Sequence, residues 1–296
     1  MRSALATALC VILAALPVHA APKVLATIKP IHSLVAAVMA GAGAPDLLIQ
    51  GAQSEHSYAL KPSDAAKLGA ADVVFEVGPD LETYLTRPLA TLAHGSVVVL
   101  ETAPGVQRLP ARWGGLWDDI QSVTETAPDP HIWLDPENAV AMTAAITASL
   151  SKADPAHAAL YAANGRKEIA RLKAQEKDLA AKLAPLRGRP YIVFHDAYQY
   201  FERRFALSPV GAVTVAPDRP VGPRRVSALR DAIRTRSVVC IFREPQFPPA
   251  LIRTLVEGSS ARIGQLDPLG AELAPGPELY PKLLDAIAAS LRGCLG

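Results

Sequence analysis

Beyond its first 20 residues the chain has no apolar run long enough to cross a membrane as a helix, so the body of the protein is read as soluble. The phosphate-cradling pattern GxxxxGK[ST] is missing, so the chain does not itself hydrolyse ATP by that route. HExxH and GxSxG are missing too, which removes the commonest metalloprotease and serine-hydrolase signatures. Charge of either sign is scarce in excess: 30 Lys and Arg stand against 28 Asp and Glu. That balance leaves no basic footprint for nucleic acid. No low-complexity tract interrupts the chain.

What is present begins with MRSALATALCVILAALPVHA. A positive residue (Arg2), a short apolar run and the small-residue pattern Val18-His19-Ala20 make residues 1–20 a cleavable secretory leader. Leu9 precedes Cys10, where a lipid-attachment signal needs a small residue, so lipidation is not expected. Export predicts a periplasmic, soluble protein of about 276 residues, enough for two lobes with separate cores. Of three cysteines, only Cys240 and Cys294 survive cleavage. In an exported chain such a pair most simply forms one disulfide, with two buried thiols as the alternative.

Strand-like and helix-like stretches alternate. Residues 23–28, 46–50, 72–77 and 96–100 read as strands in the first half, with helices over 31–39, 62–71 and 81–93. A loop over 102–129, holding Trp113, Gly114, Gly115 and Trp117, breaks the pattern. Helix resumes at Pro136. Asp154-Pro155 then opens a second helical stretch, with Asp154 suited to cap it and Gly165 weakening it, that runs to about Leu183. Residues 191–194, 210–215, 238–242 and 262–266 are strand candidates in the second half, and 197–205, 223–235, 248–257 and 279–291 helix candidates. The expected fold is α/β: two similar lobes with mainly parallel sheets, joined by one long rigid helix, with a ligand cleft between them. The expected organisation is a leader at 1–20, an N-terminal lobe at 21–152, the linking helix at 153–186 and a C-terminal lobe at 187–296.

Three of six remaining histidines stand where α/β proteins place ligands, beyond strand ends or before helices. His56 follows DLLIQ, His131 lies in DPHIWLDPEN, and His195 follows YIVF. A cleft between lobes would use all three. Three neutral imidazoles leave one position on a tetrahedral ion, which suits zinc; Glu55, Asp267 or water can fill it. Asp196 is expected to orient an imidazole or cap the next helix. His32 and His157 are expected to be packed or solvated, and His94 to lie in a turn. Because imidazole binds metal only when neutral, affinity is expected to fall as pH drops through about 6. A zinc hydrolase, with Glu55 or Asp196 as general base, is the competing reading from another class.

In order along the chain come SEHSYALKPSD, ADVVFEVGPDLE, HIWLDPENA, YIVFHDAYQYF, FREPQF and LDPLG. Through these motifs nearly the whole mature chain resembles the ZnuA-like periplasmic zinc-binding proteins of bacterial ABC transporters. The resemblance implies a carrier rather than an enzyme, with zinc held by His56, His131 and His195. It implies delivery of that zinc to a membrane permease driven by a separate ATPase, from a monomer. It places an acidic neighbour of the metal on Glu55, a disulfide on Cys240 and Cys294, and on Asp267 a carboxylate that ligates metal in manganese-type relatives. Manganese transport is therefore the alternative within the family. One departure is plain: the matching loop, about residues 108–130, lacks the histidine-rich tract of many zinc members and carries Asp118, Asp119, Glu125 and Asp129 instead.

Overall fold

The computed structural model describes residues 21–112, 116–117, 127–215, 217 and 220–296. The leader, Trp113, Gly114, Gly115, Asp118, Asp119 and Glu125 lie outside the described residues.

The chain lays down β1 (Val24–Ala26), α1 (Lys29–Met39), β2 (Asp46–Leu47), α2 (Pro62–Ala70), β3 (Val73–Glu76), α3 (Thr86–Leu92) and β4 (Ser96–Val99). After the loop come α4 (Pro136–Ala153) and α5 (Ala158–Leu183). The second half adds β5 (Tyr191–His195), α6 (Gln199–Phe205), β6 (Pro209–Thr214), α7 (Pro223–Thr235), β7 (Cys240–Arg243), α8 (Ala250–Val256), β8 (Arg262–Gln265) and α9 (Leu279–Leu295). The strands form two four-stranded sheets, ordered β2-β1-β3-β4 and β6-β5-β7-β8, with every pairing parallel. Parallel strands need helical crossovers, and the alternation in sequence supplies them. The two sheets therefore repeat one topology.

Several boundaries differ from the sequence reading for local reasons. β2 is two residues long rather than five. The helix expected over 81–93 begins as a 3₁₀ turn at Thr83–Leu85. Glu82 just before it is spent inward, its Oε2 accepting from the amides of Val77 (2.8 Å) and Gly78 (3.1 Å). Asp154 does not cap the following turn. Its Oδ2 accepts from Tyr161 Oη (2.8 Å) and pairs with His157 Nδ1 (2.7 Å), and α5 starts only at Ala158. With 26 residues α5 spans about 39 Å. Gly165 weakens α5 but serves packing: a Cβ there would meet Thr147 Oγ1 of α4 at 2.2 Å. Its absence lets the two helices close on each other.

One apolar core runs through both sheets and the helices between them, from Val24 and Phe75 through Leu172 and Leu179 to Tyr191 and Phe242. Smaller clusters line the outer faces, one around Leu68 and Val74, the other around Val213 and Ile241. Polar ties cross the same boundary. The Nζ of buried Lys29, in the first turn of α1, donates to the carbonyls of Gly270 (3.2 Å), Ala271 (2.6 Å) and Leu273 (3.1 Å). Trp133 Nε1 donates to Pro268 O (2.8 Å), and Tyr280 Oη donates to Trp133 O (2.6 Å). In the C-terminal sheet a disulfide joins Cys240 of β7 to Cys294 of α9. No helix among the described residues is long and apolar enough to cross a membrane.

Candidate metal site

His56 stands in the loop after β2, His131 just before a 3₁₀ turn at Ile132–Leu134, and His195 is the last residue of β5. Ile132, Trp133 and Leu134 are all buried, so they anchor the backbone beside His131. Asp135 then caps α4 by accepting from the Glu137 amide (2.9 Å), which sets the chain direction past the site. His195 differs from expectation by one position: it still pairs within the sheet, opposite Thr214.

The three imidazoles converge. His131 Nε2 lies 3.2 Å from His56 Nε2 and 3.3 Å from His195 Nε2. Two nitrogens on one tetrahedral zinc, each about 2.05 Å from the ion, would lie about 3.3 Å apart. Glu55 completes the group: each of the four residues offers a donor atom, and these atoms all lie within 4.8 Å of one another. Glu55 Oε1 is buried, has no hydrogen-bond partner among the described residues, and sits 3.9 Å from His56 Nε2. A soft-to-borderline nitrogen set with one carboxylate suits zinc.

Asp267 stands outside this group. Its Oδ1 accepts from Gln246 Nε2 (2.9 Å) and the amides of Leu269 and Gly270 (3.0 Å each), and its Oδ2 from the amide of Ala271 (2.5 Å). The turn after β8 thus consumes the carboxylate. His32 bonds Pro45 O through Nε2 (3.1 Å) and His157 is tied to Asp154, so both serve the scaffold.

Two carboxylates that sequence reasoning missed fix the ring orientations. Asp129 Oδ1 meets Nδ1 of His131 at 2.7 Å and also accepts from its backbone amide. Glu244 brackets Nδ1 of His195 with both oxygens, at 2.9 and 2.8 Å, and accepts from Tyr198 Oη at 3.1 Å. A carboxylate on Nδ1 favours a proton there and turns Nε2 toward the other imidazoles. Asp196, expected in that role, instead binds Arg112, whose Nε lies 3.1 and 3.0 Å from its two oxygens. Arg112 also reaches Glu202 (2.8 Å) and stacks 3.5 Å over the Trp117 ring. Consecutive residues at a strand end point to opposite sides, so the neighbour of His195 in sequence is not its neighbour in space. Strand register in the folded sheet is what brings Glu244 to the site. β5 pairs with β7 at Ile192↔Ile241, and continuing that register sets Glu244 opposite His195.

The charges respond to burial first. It lowers the pKa of His56 and His131, reinforced at His56 by the nearby His131 and His195 and at His131 by His195 and the Arg112 guanidinium. Burial also disfavours the cation on His195, but Glu244 overrides it and raises that pKa to about 9. Burial raises Glu55 to about 7, against the pull of His195.

Residues 24–294 match the family described as ZnuA, zinc-uptake complex component A, periplasmic. The chain is 42% identical to the high-affinity zinc uptake system protein ZnuA of Brucella abortus (strain 2308), with 92% of this chain and 91% of that protein covered. It is 34% identical to the protein of that description from Paracoccus denitrificans (strain Pd 1222), with 96% and 95% covered. In fold it matches a ZnuA crystal structure (TM-score 0.81, 23% identity, 93% of this chain and 100% of that one). It matches the periplasmic zinc-binding protein TroA of Treponema pallidum equally well (TM-score 0.81, 24% identity, 93% and 99%). A match that begins in β1 and ends in α9 takes in both sheets and every residue of the histidine cluster, and the chain belongs to the ZnuA family of periplasmic zinc-uptake components.

Proposed function

We propose that the protein captures Zn(II) in the periplasm and hands it to the permease of an ABC importer driven by a separate ATPase. His56, His131 and His195 bind the ion through Nε2, and Glu55 supplies the fourth donor. Asp129 and Glu244 hold two of the imidazoles in place. The chain is a carrier rather than an enzyme, acts as a monomer, and reaches the periplasm through cleavage of residues 1–20.

The observation that carries this reading is the spacing of the three Nε2 atoms, 3.2 and 3.3 Å, which is that of adjacent corners of a zinc tetrahedron. The names of its relatives, high-affinity zinc uptake proteins, support the same cargo. The engagement of Asp267 in its own turn supports zinc over manganese, because it removes a hard oxygen donor.

The test is metal competition on the purified chain lacking its leader. After chelator stripping and exposure to equimolar Zn(II) and Mn(II), about one zinc per chain and a rise in melting temperature are expected. Preferential manganese would draw Asp267 into the coordination sphere and make this a manganese carrier. Turnover of simple esters or peptides by the zinc-loaded protein would restore the hydrolase reading.

A further inference from the structure

The loop between β4 and α4 leaves the N-terminal sheet and fastens to the other half of the molecule. Its two legs pair antiparallel: the Ala111 amide donates to Ala127 O (2.9 Å), the Asp129 amide donates to Leu109 O (2.8 Å), and Pro110 faces Pro128. From this loop three ties reach the C-terminal half. Tyr200 Oη, on α6, accepts from the Leu109 amide (2.9 Å) and donates to Asp129 O (2.7 Å). The Trp117 amide donates to Val210 O of β6 (3.2 Å), beside a bridge between Leu116 and Gly211. The third tie is Arg112, whose guanidinium takes Asp196 through Nε and Nη2 and Glu202 through Nη2.

Arg112 joins the two backbones that carry His131 and His195. On its own side the paired legs end in Asp129, whose carboxylate holds His131. On the far side Asp196 follows His195 directly. Glu202 lies on α6, where Tyr191, at the start of β5, donates to its other oxygen (3.1 Å). The side chains of Arg112, Asp196 and Glu202 keep only 14%, 8% and 4% of their surface open, so water does little to loosen them. A planar fork on two carboxylates fixes direction as well as distance. His131 and His195, 3.3 Å apart at Nε2, come from opposite halves. Their spacing is therefore only as rigid as the ties between those halves.

Resting on the zinc-carrier reading above, we propose that Arg112 is a positioning residue for the metal: its clamp on Asp196 and Glu202 holds the spacing of His131 and His195 at the zinc value and selects against larger ions. A larger ion makes longer bonds and needs its nitrogens farther apart, which the clamp resists. The clamp acts on an ion already between the imidazoles. It therefore governs departure and size preference rather than entry.

The experiment uses the purified chain without its leader and compares Zn(II) with Cd(II), a larger ion of the same closed d shell. A chelator chase reads zinc dissociation, and competition with a chelating dye reads both affinities. Arg112→Gln is expected to speed zinc departure by about tenfold, to leave association within about twofold of the parent, and to lower the preference for zinc over cadmium by about tenfold. Arg112→Lys keeps the charge but not the fork, and is expected to follow Arg112→Gln. Because Arg112→Gln strands two buried carboxylates, a triple variant adds Asp196→Asn and Glu202→Gln and removes the charges together. Metal-free, it should melt near the parent and show the same changes in departure and preference. An unchanged zinc–cadmium preference in the triple variant, or an equal loss of affinity for both ions, overturns the clamp while zinc capture by the parent stands. Parent-like behaviour of Arg112→Lys shows that charge alone acts, and overturns it too. A parent that binds neither ion overturns the carrier reading along with it.

Discussion

The N-terminal sheet order β2-β1-β3-β4 recurs as β6-β5-β7-β8, yet the two halves treat the ion unequally. The N-terminal half offers Glu55, His56 and His131, all from loops, and burial keeps its two imidazoles neutral. The C-terminal half offers only His195, from a strand end, and places it against a carboxylate that favours the cation. One half brings two imidazoles already neutral, beside the carboxyl of Glu55. The other is a single donor that must surrender a proton before it can bind. A repeated topology thus fixes where ligands stand, while the residues packed behind them decide their charge.

Removing a donor from the neutral half breaks the comparison most severely. His131→Ala, which deletes the central nitrogen of the cluster, should weaken zinc binding by more than about 100-fold, read by competition with a chelating dye.

The proton on His195 comes next. Zinc must displace it below about pH 9, and must also displace one from Glu55 below about pH 7. Affinity should therefore climb with pH up to about 9, more steeply below about 7. The fall expected near pH 6 from an ordinary imidazole is thereby moved upward. Glu244→Gln should cost about 10- to 100-fold in affinity at neutral pH and flatten the upper part of the curve. A curve unchanged in shape would show that Glu244 does not set the charge of His195.

Stability sharpens the same contrast. The Cys240–Cys294 bridge closes 54 residues of the C-terminal half, worth about 4 kcal/mol in the chain-entropy model. Cys240→Ser with Cys294→Ser should lower the unfolding free energy from chemical denaturation by that amount, and mild reductant should reproduce it in the parent.

The smallest effect lies in the N-terminal half. Burial, with Glu76 alongside, raises the pKa of Glu82 to about 8. A raised carboxyl contributes stability that is complete below its unfolded value near 4.5 and is lost as pH rises through about 8. Metal-free protein should melt lower at pH 9 than at pH 6, and Glu82→Gln should shrink that difference.

The alternation of strand and helix signals made the α/β class and the position of both sheets legible, because crossovers of that length imply parallel pairing. The three histidines were legible for the same reason, since each stands beyond a strand end or before a helix. Partner choice was harder. Asp129 lies two residues from His131 and shares its loop, but nothing local distinguishes it from the other acids there. Glu244 lies 49 residues from His195, and only strand register joins them. Asp196 misled through adjacency, because direction along a backbone outweighs nearness in sequence. The 3₁₀ start before α3 follows Glu82, which folds back on the main chain at Val77 and Gly78, a tertiary choice with no local signal.

Lys29 carries a consequence for the rate of capture. Parting the two sheets would pull its ammonium from three carbonyls, at about 1.5–3 kcal/mol for each charge-assisted bond lost. A wide swing of the lobes is thus costly, and capture is expected to proceed without one. The ion has to come in past His56, whose side chain keeps 19% of its surface open while those of His131 and His195 keep 4% and 3%. Zinc association is then expected to be set by exchange of water for imidazole around the ion, and a stopped-flow series in rising glycerol should show it indifferent to solvent viscosity.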